Sequence, residues 1–316
     1  MERLPRAARS AETGAASAAV VPPARDPLYL RGVVMVMIAG SFWSLGGILY
    51  RLIEAAGPWQ VLAYRSGALA AMLAVVLLAR YRGRVFAQFR QAGWPAALGG
   101  ACLAVGFTGW IFALEHTTVA NGVFILAAAP LATALLARIV LREAIGAATW
   151  AAMAVALLGI GVMVAGGLQS GALFGNLMAL MAMTGFSGFA VALRAGRAGD
   201  MLPAAFWAGL FAAAFAGFMA GDLAVSGRDF ALGSLMGVVQ IGFGLMLFTA
   251  GSRHVPAAEL ALLSLTEVIL SPIWVWLWIG EIPSLATLAG GAIVLAAIVG
   301  RASSGLRRKP PPFGSV

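Results

Sequence analysis

Charge is scarce in this chain. Only 10% of its 316 residues are Asp, Glu, Lys or Arg, against 61% hydrophobic, and the mean hydropathy is +0.93. A soluble protein of this length cannot cover so much apolar surface with so few charges. Cysteine is nearly absent as well. Cys102 stands alone in an apolar run, which excludes an intrachain disulfide and a cysteine metal site. Histidine is limited to His116 and His254. There is no P-loop, no HExxH and no dinucleotide glycine fingerprint, so the sequence gives no ground for ATP-driven work, a cofactor or a metal.

What the chain has instead is apolar length. Runs fall at about 32–52, 59–79, 94–114, 117–137 and 146–166, then at 173–193, 201–221, 231–251, 256–277 and 283–300. Each is close to the roughly 20 residues that span a bilayer as a helix. Backbone polar groups in lipid must pair internally, so helices are expected throughout. Residues 1–30 read as a disordered basic tail and 301–316 as a second, proline-rich tail.

The basic residues orient these runs. Nucleic acid is not implied by the net charge of +9, because the arginines sit in short loops. With ten crossings, all but Arg51, Arg65 and Arg228 of the 21 basic residues fall on one side or in the tails. The positive-inside rule makes that side cytoplasmic and places both ends of the chain there, in a cell inner (cytoplasmic) membrane.

The chain also repeats itself. Shifted by 138 positions, His116 falls on His254, Glu143 on Glu281 and Thr149 on Thr287. A self-match of this length points to duplication. Five crossings are odd in number, so a second copy enters the membrane upside down. The expected fold is an all-α membrane protein of ten transmembrane helices, as two inverted five-helix repeats at 31–168 and 169–300.

The segments SFWSLGGILYRL, YRS, ALEHTTVANGVFILAAAPLATALLARIVLRE and LTEVILSPIWVWLWIGE carry a resemblance to a known family. The chain resembles the EamA-type branch of the drug/metabolite transporter superfamily over about residues 32–300. The resemblance implies ten helices, alternating access, and export or exchange of small metabolites, amino acids among them. One departure stands out. Pro130 has Val268 as its counterpart, and the second half carries Pro272 four residues later, so the two gates need not be mechanically equivalent.

Candidate site residues follow from cost. A charge at depth in a bilayer usually faces a cavity or a partner. Arg65 lies about 9 Å below the outer surface and Glu267 about 13 Å from it, at 1.5 Å of rise per residue and a 30 Å core. Both are candidates for gating or for holding the charged ends of a substrate, with a structural ion pair as the competitor. Glu259 lies near the inner surface and reads as solvated. Asn121 and Gln240 are candidates for hydrogen bonds to substrate or between helices. Trp43, Tyr64 and Trp110 are candidate pocket walls, although membrane aromatics often have no ligand. Pro130 and Pro272 are candidate hinges, or static kinks. Glu143 and Glu281 read as carboxylates capping the helices that follow them.

Two rival classes are weaker. The stretch Gly185-Phe186-Ser187-Gly188 matches the surroundings of an intramembrane serine protease, but no histidine lies at the depth of Ser187 to act as base. An ion channel would need a ring of charges or a filter loop, and neither is visible. The implied partners are the lipid bilayer and a small-molecule substrate. Proton coupling and facilitated diffusion both fit, and oligomeric state is left open.

Overall fold

The computed structural model describes residues 27–170, 172–196, 202–255, 260 and 263–306. Most of both expected tails, and Glu259, lie outside the described residues. Among the described residues every regular element is helical. Among the described residues six helical stretches are long and apolar enough to cross a membrane, one of them the continuous Pro58–His116, or seven if one bent pair counts as a single span. Helices of this length and apolarity make the chain a multi-pass membrane protein.

The first half opens with α1 (Pro27–Arg51) and α2 (Pro58–Tyr81). Proline at the first position of α2 has its φ preset for a helix, and the Gln60 side chain accepts from the Gly57 amide at 2.8 Å. The short 3₁₀ turn Arg82–Arg84 separates α2 from α3 (Val85–His116). Gly93 breaks α3 at φ 63°, so its lower part is set at an angle to the apolar span. The next apolar run is not one helix. It divides into α4 (Val119–Ala127) and α5 (Ala129–Val140), bent by 40°. Proline at the start of α5 lacks the N–H that would continue α4. The half closes with α6 (Ala147–Ser170).

The second half runs through α7 (Leu173–Ala195), α8 (Leu202–Ala220) and α9 (Gly227–Leu235). A π-helical segment, Met236–Phe243, joins α9 to α10 (Gly244–Gly251). Then come α11 (Leu265–Ile279), which ends at the left-handed Gly280, and α12 (Leu285–Leu306).

Packing partners exchange between the halves. Helix α3 packs along α7, and α1 packs along α9–α10; α5 packs on α7, and α1 packs on α11. Helix α2 crosses α8, and α6 crosses α12. The last crossing is close: a Cβ on Gly159 would meet the Gly290 carbonyl at 2.6 Å. Small residues let helix backbones approach where lipid supplies no hydrophobic drive. Direction is also fixed by contacts. Gly175 at the start of α7 touches His116 at the end of α3, and Gly196 after α7 touches Pro95 near the start of α3. The two helices are therefore antiparallel.

Candidate functional site

A cavity of about 370 Å³ lies between the halves. That is at the lower end of the range for small-molecule sites. Its walls come from helices of both halves, and they are mostly apolar. Trp43, Phe107, Trp110, Phe186, Phe189 and Phe248 contribute aromatic surface. Among the described residues, Arg65 and Glu267 are the charged groups lining it.

Several expected site residues meet here. Arg65 on α2 is 2% exposed, and its guanidinium lies 4.8 Å from the Phe107 ring centroid. Its Nε and Nη1 have no hydrogen-bond partner. Glu267, in the first turn of α11, shares the cavity, but no ion pair within 4.0 Å joins it to Arg65. Gln240 enters from the π segment. Its Nε2 donates to the Trp43 carbonyl at 3.1 Å, while its Oε1 is buried and unpartnered. Trp43 also packs on Phe248, with ring centroids 5.3 Å apart. Pro130 reaches the cavity at the α4–α5 bend.

Three others lie elsewhere. The Tyr64 hydroxyl donates to the Leu223 carbonyl and its ring packs edge-on against Phe230. Asn121 belongs to a buried polar knot. Its Nδ2 donates to Thr117 and Asn176, and its Oδ1 accepts from Thr287 at 3.4 Å, tying α4 to α7 and α12. Pro272 lies inside α11, which continues through it. Ser187 is 0% exposed, and its single O–H is shared between the Met183 carbonyl at 2.8 Å and the Ala129 carbonyl at 3.1 Å. His116 is held against Phe112 and Phe174, and His254 lies beside Gly32. Neither histidine contacts Ser187, and the serine hydroxyl bonds backbone at the α4–α5 bend.

Sequence reasoning missed three ion pairs that link the halves, and two of them sit at corresponding helix ends. At one end of the bundle Arg51, the last residue of α1, donates to Glu281 at 2.9 Å, to the Thr117 carbonyl at 2.8 Å and to the Leu114 carbonyl. Glu281 also accepts from the Val119 amide at 2.7 Å. The carboxylate thus caps α4 of the other half rather than the helix after it in the chain, which is served by the Ser284 hydroxyl on the Thr287 amide. At the other end Arg194, in the last turn of α7, pairs with Glu143 at 3.4 Å. Both contacts join the end of a half's first helix to the glutamate that closes the partner half's fourth run. They differ in tightness. The side chains of Arg51 and Glu281 are 21% and 18% exposed, and those of Arg194 and Glu143 are 56% and 45% exposed.

A second contact strengthens the Arg51 end. The Asp229 carboxylate accepts from the amides of Glu54, Ala55 and Ala56 at 3.0–3.1 Å, clamping the α1–α2 loop to the start of α9. Arg228 pairs with Glu54 beside it.

Comparison with known proteins bears on this arrangement. The model of the EamA-like transporter family matches residues 30–165 and again residues 173–301. A solved structure described only as a crystal structure of a protein superposes with a TM-score of 0.62 at 21% identity, covering 90% of this chain and 100% of its own. That likeness speaks for the fold alone. A search of curated proteins finds no match.

Proposed function

The chain belongs to the EamA-like transporter family, and from that premise we propose that it is a secondary transporter which exports or exchanges a small metabolite across the cytoplasmic membrane by alternating access. In this reading ten helices cross the bilayer as two inverted five-helix units, both ends of the chain face the cytoplasm, and the solute rests in the cavity between the units. Amino acids are the first class to assay, with proton-coupled and uncoupled movement as the two modes to separate.

The observation that carries the reading is the pair of unequal latches. Arg51–Glu281 and Arg194–Glu143 join corresponding helix ends of the two halves, at opposite ends of one bundle. Alternating access needs one end closed while the other loosens, and two halves with equivalent contacts supply that bistability. The antiparallel course of α3 and α7 supports the inverted arrangement. The tight Arg51 end corresponds to the closed side.

The experiment is solute exchange in proteoliposomes without ATP, with and without a pH gradient. Saturable exchange is expected, slowed by Glu281→Gln and by Glu143→Gln alike, because each removes the latch of one end. Non-saturable ion flux that ignores both substitutions would replace the transporter reading with a channel.

A further inference from the structure

Arg65 presents a chemical problem that no described protein group solves. Its guanidinium is nine-tenths or more buried, two of its nitrogens lack acceptors, and no carboxylate lies within ion-pairing distance. A buried cation left in this condition is costly, and removing its anion from a pair is strongly destabilising. Phe107 faces the guanidinium and offsets part of that cost through its ring, but a ring face accepts no hydrogen bond at Nε or Nη1. The missing acceptor belongs on the cavity side, where Arg65 forms part of the wall.

We propose that the cavity binds an organic monocarboxylate with a flat apolar body, its carboxylate seated on Arg65 and its body among Trp43, Phe107, Trp110 and Phe186. This rests on the transporter reading of the same cavity and names the substrate class within it. Arginine prefers carboxylates because its planar donors match their oxygens. The aromatic walls favour a flat apolar body through burial and ring packing. Glu267 limits the load. Among the described residues it is the other ionisable group in the wall and stays out of ion-pair reach of Arg65, so a second carboxylate on the solute would meet another carboxyl group rather than a second cation. The site accepts one carboxylate and disfavours two.

The test is calorimetric binding to the purified protein in lipid nanodiscs, with four probes on one skeleton. These are 3-phenylpropionate, its neutral amide 3-phenylpropanamide, its cationic analogue 3-phenylpropylamine, and the dicarboxylate phenylsuccinate. The carboxylate is expected to bind about tenfold or more tightly than the amide, the range of a charge-assisted hydrogen bond, and more tightly than the amine and the dicarboxylate. Arg65→Gln should lower carboxylate affinity far more than amide affinity and so erase the carboxylate-to-amide ratio, and Arg65→Lys should restore part of it. Equal binding of carboxylate and amide, tightest binding of the amine, or no binding of any probe each overturns the proposal. If Arg65→Gln does not fold, as its thermal unfolding would show, the wild-type ratios decide alone. The two readings fail separately. Exchange of other solutes in proteoliposomes with no carboxylate preference leaves the transporter standing and removes the monocarboxylate. Absence of any exchange removes the transporter, while the binding ratios still judge the Arg65 site.

Discussion

Gly237 has no room for a side chain. A Cβ there would lie 2.1 Å from the Arg65 carbonyl oxygen and 3.0 Å from the Leu69 amide nitrogen, both backbone atoms of α2. The glycine therefore sets how closely the π segment approaches the helix that carries Arg65. Gly237→Ala should cost about 1–3 kcal/mol by overpacking, read as a lowered unfolding temperature in detergent, and should weaken solute binding by displacing α2. Gly161→Ala is the control. Nothing lies within 4 Å of its Cβ position, and unfolding should stay near wild type. Equal effects of the two would remove the contact from the account. The site was partly legible at this scale. Arg65 and Glu267 stand out in sequence because charge in an apolar run is rare and expensive. Tyr64, one residue from Arg65, could be assigned to the pocket or not. Helix geometry separates the two by about 100°, and only the position of Leu223 shows which way the ring turns. Arg51, Glu143, Arg194 and Glu281 were harder. Charges at helix ends are ordinary at a membrane surface, and nothing in the sequence says which ends meet.

Two apolar runs become something other than plain helices. The run after His116 breaks at Ala128, bends by 40°, and resumes with Pro130 in its first turn. The Ser187 hydroxyl from α7 bonds the Ala129 carbonyl at the bend. Proline announced this in the sequence, because it cannot donate to the helical ladder. The π segment Met236–Phe243 gave no such notice. One extra residue in a turn rotates the rest of the helix by about 100°, and here it brings Gln240 and Ile241 to the cavity together. A hydropathy pattern shows a continuous apolar run in either case. The bend is a candidate moving part, since α4 holds one side of the cavity and its first amide is bound by Glu281. Pro130→Ala restores the missing donor and should stiffen the joint. Its maximal exchange rate should fall several-fold with apparent affinity little changed, as expected when a conformational step limits turnover. Pro272→Ala, inside a helix that continues through the proline, should stay within about twofold of wild type. Wild-type exchange by Pro130→Ala would make the bend a static kink.

At the scale of the whole molecule the duplication carries the argument. The sequence suggests duplication through a 138-residue shift, and two matches to one family model occupy 30–165 and 173–301. The loop arginines give the expected sidedness, with position 224 outside and position 83 inside. In a Cys102→Ala background, cysteine replacing the exposed Ala224 should react with a membrane-impermeant thiol reagent added outside, and cysteine replacing Gly83 should not. The reverse pattern would turn the molecule over. The same chemistry tests the latches. Val123 lines the cavity and is 1% exposed. Cysteine placed there should label slowly from outside while Arg51 holds Glu281, the Leu114 and Thr117 carbonyls and, through Glu281, the start of α4. Glu281→Gln weakens the ion pair and leaves the Val119 amide a neutral acceptor, so the population should move towards an outward-open form. A two-state equilibrium responds to the difference in contacts between its states, and about 1.4 kcal/mol lost from one state shifts it tenfold. Outside labelling should therefore rise by about that factor. Glu143→Gln loosens the opposite end and should leave outside labelling unchanged or lower it. Equal acceleration by both substitutions would mean that the ion pairs tie the bundle together without alternating, and the two halves would then be a symmetric scaffold rather than a pair of gates.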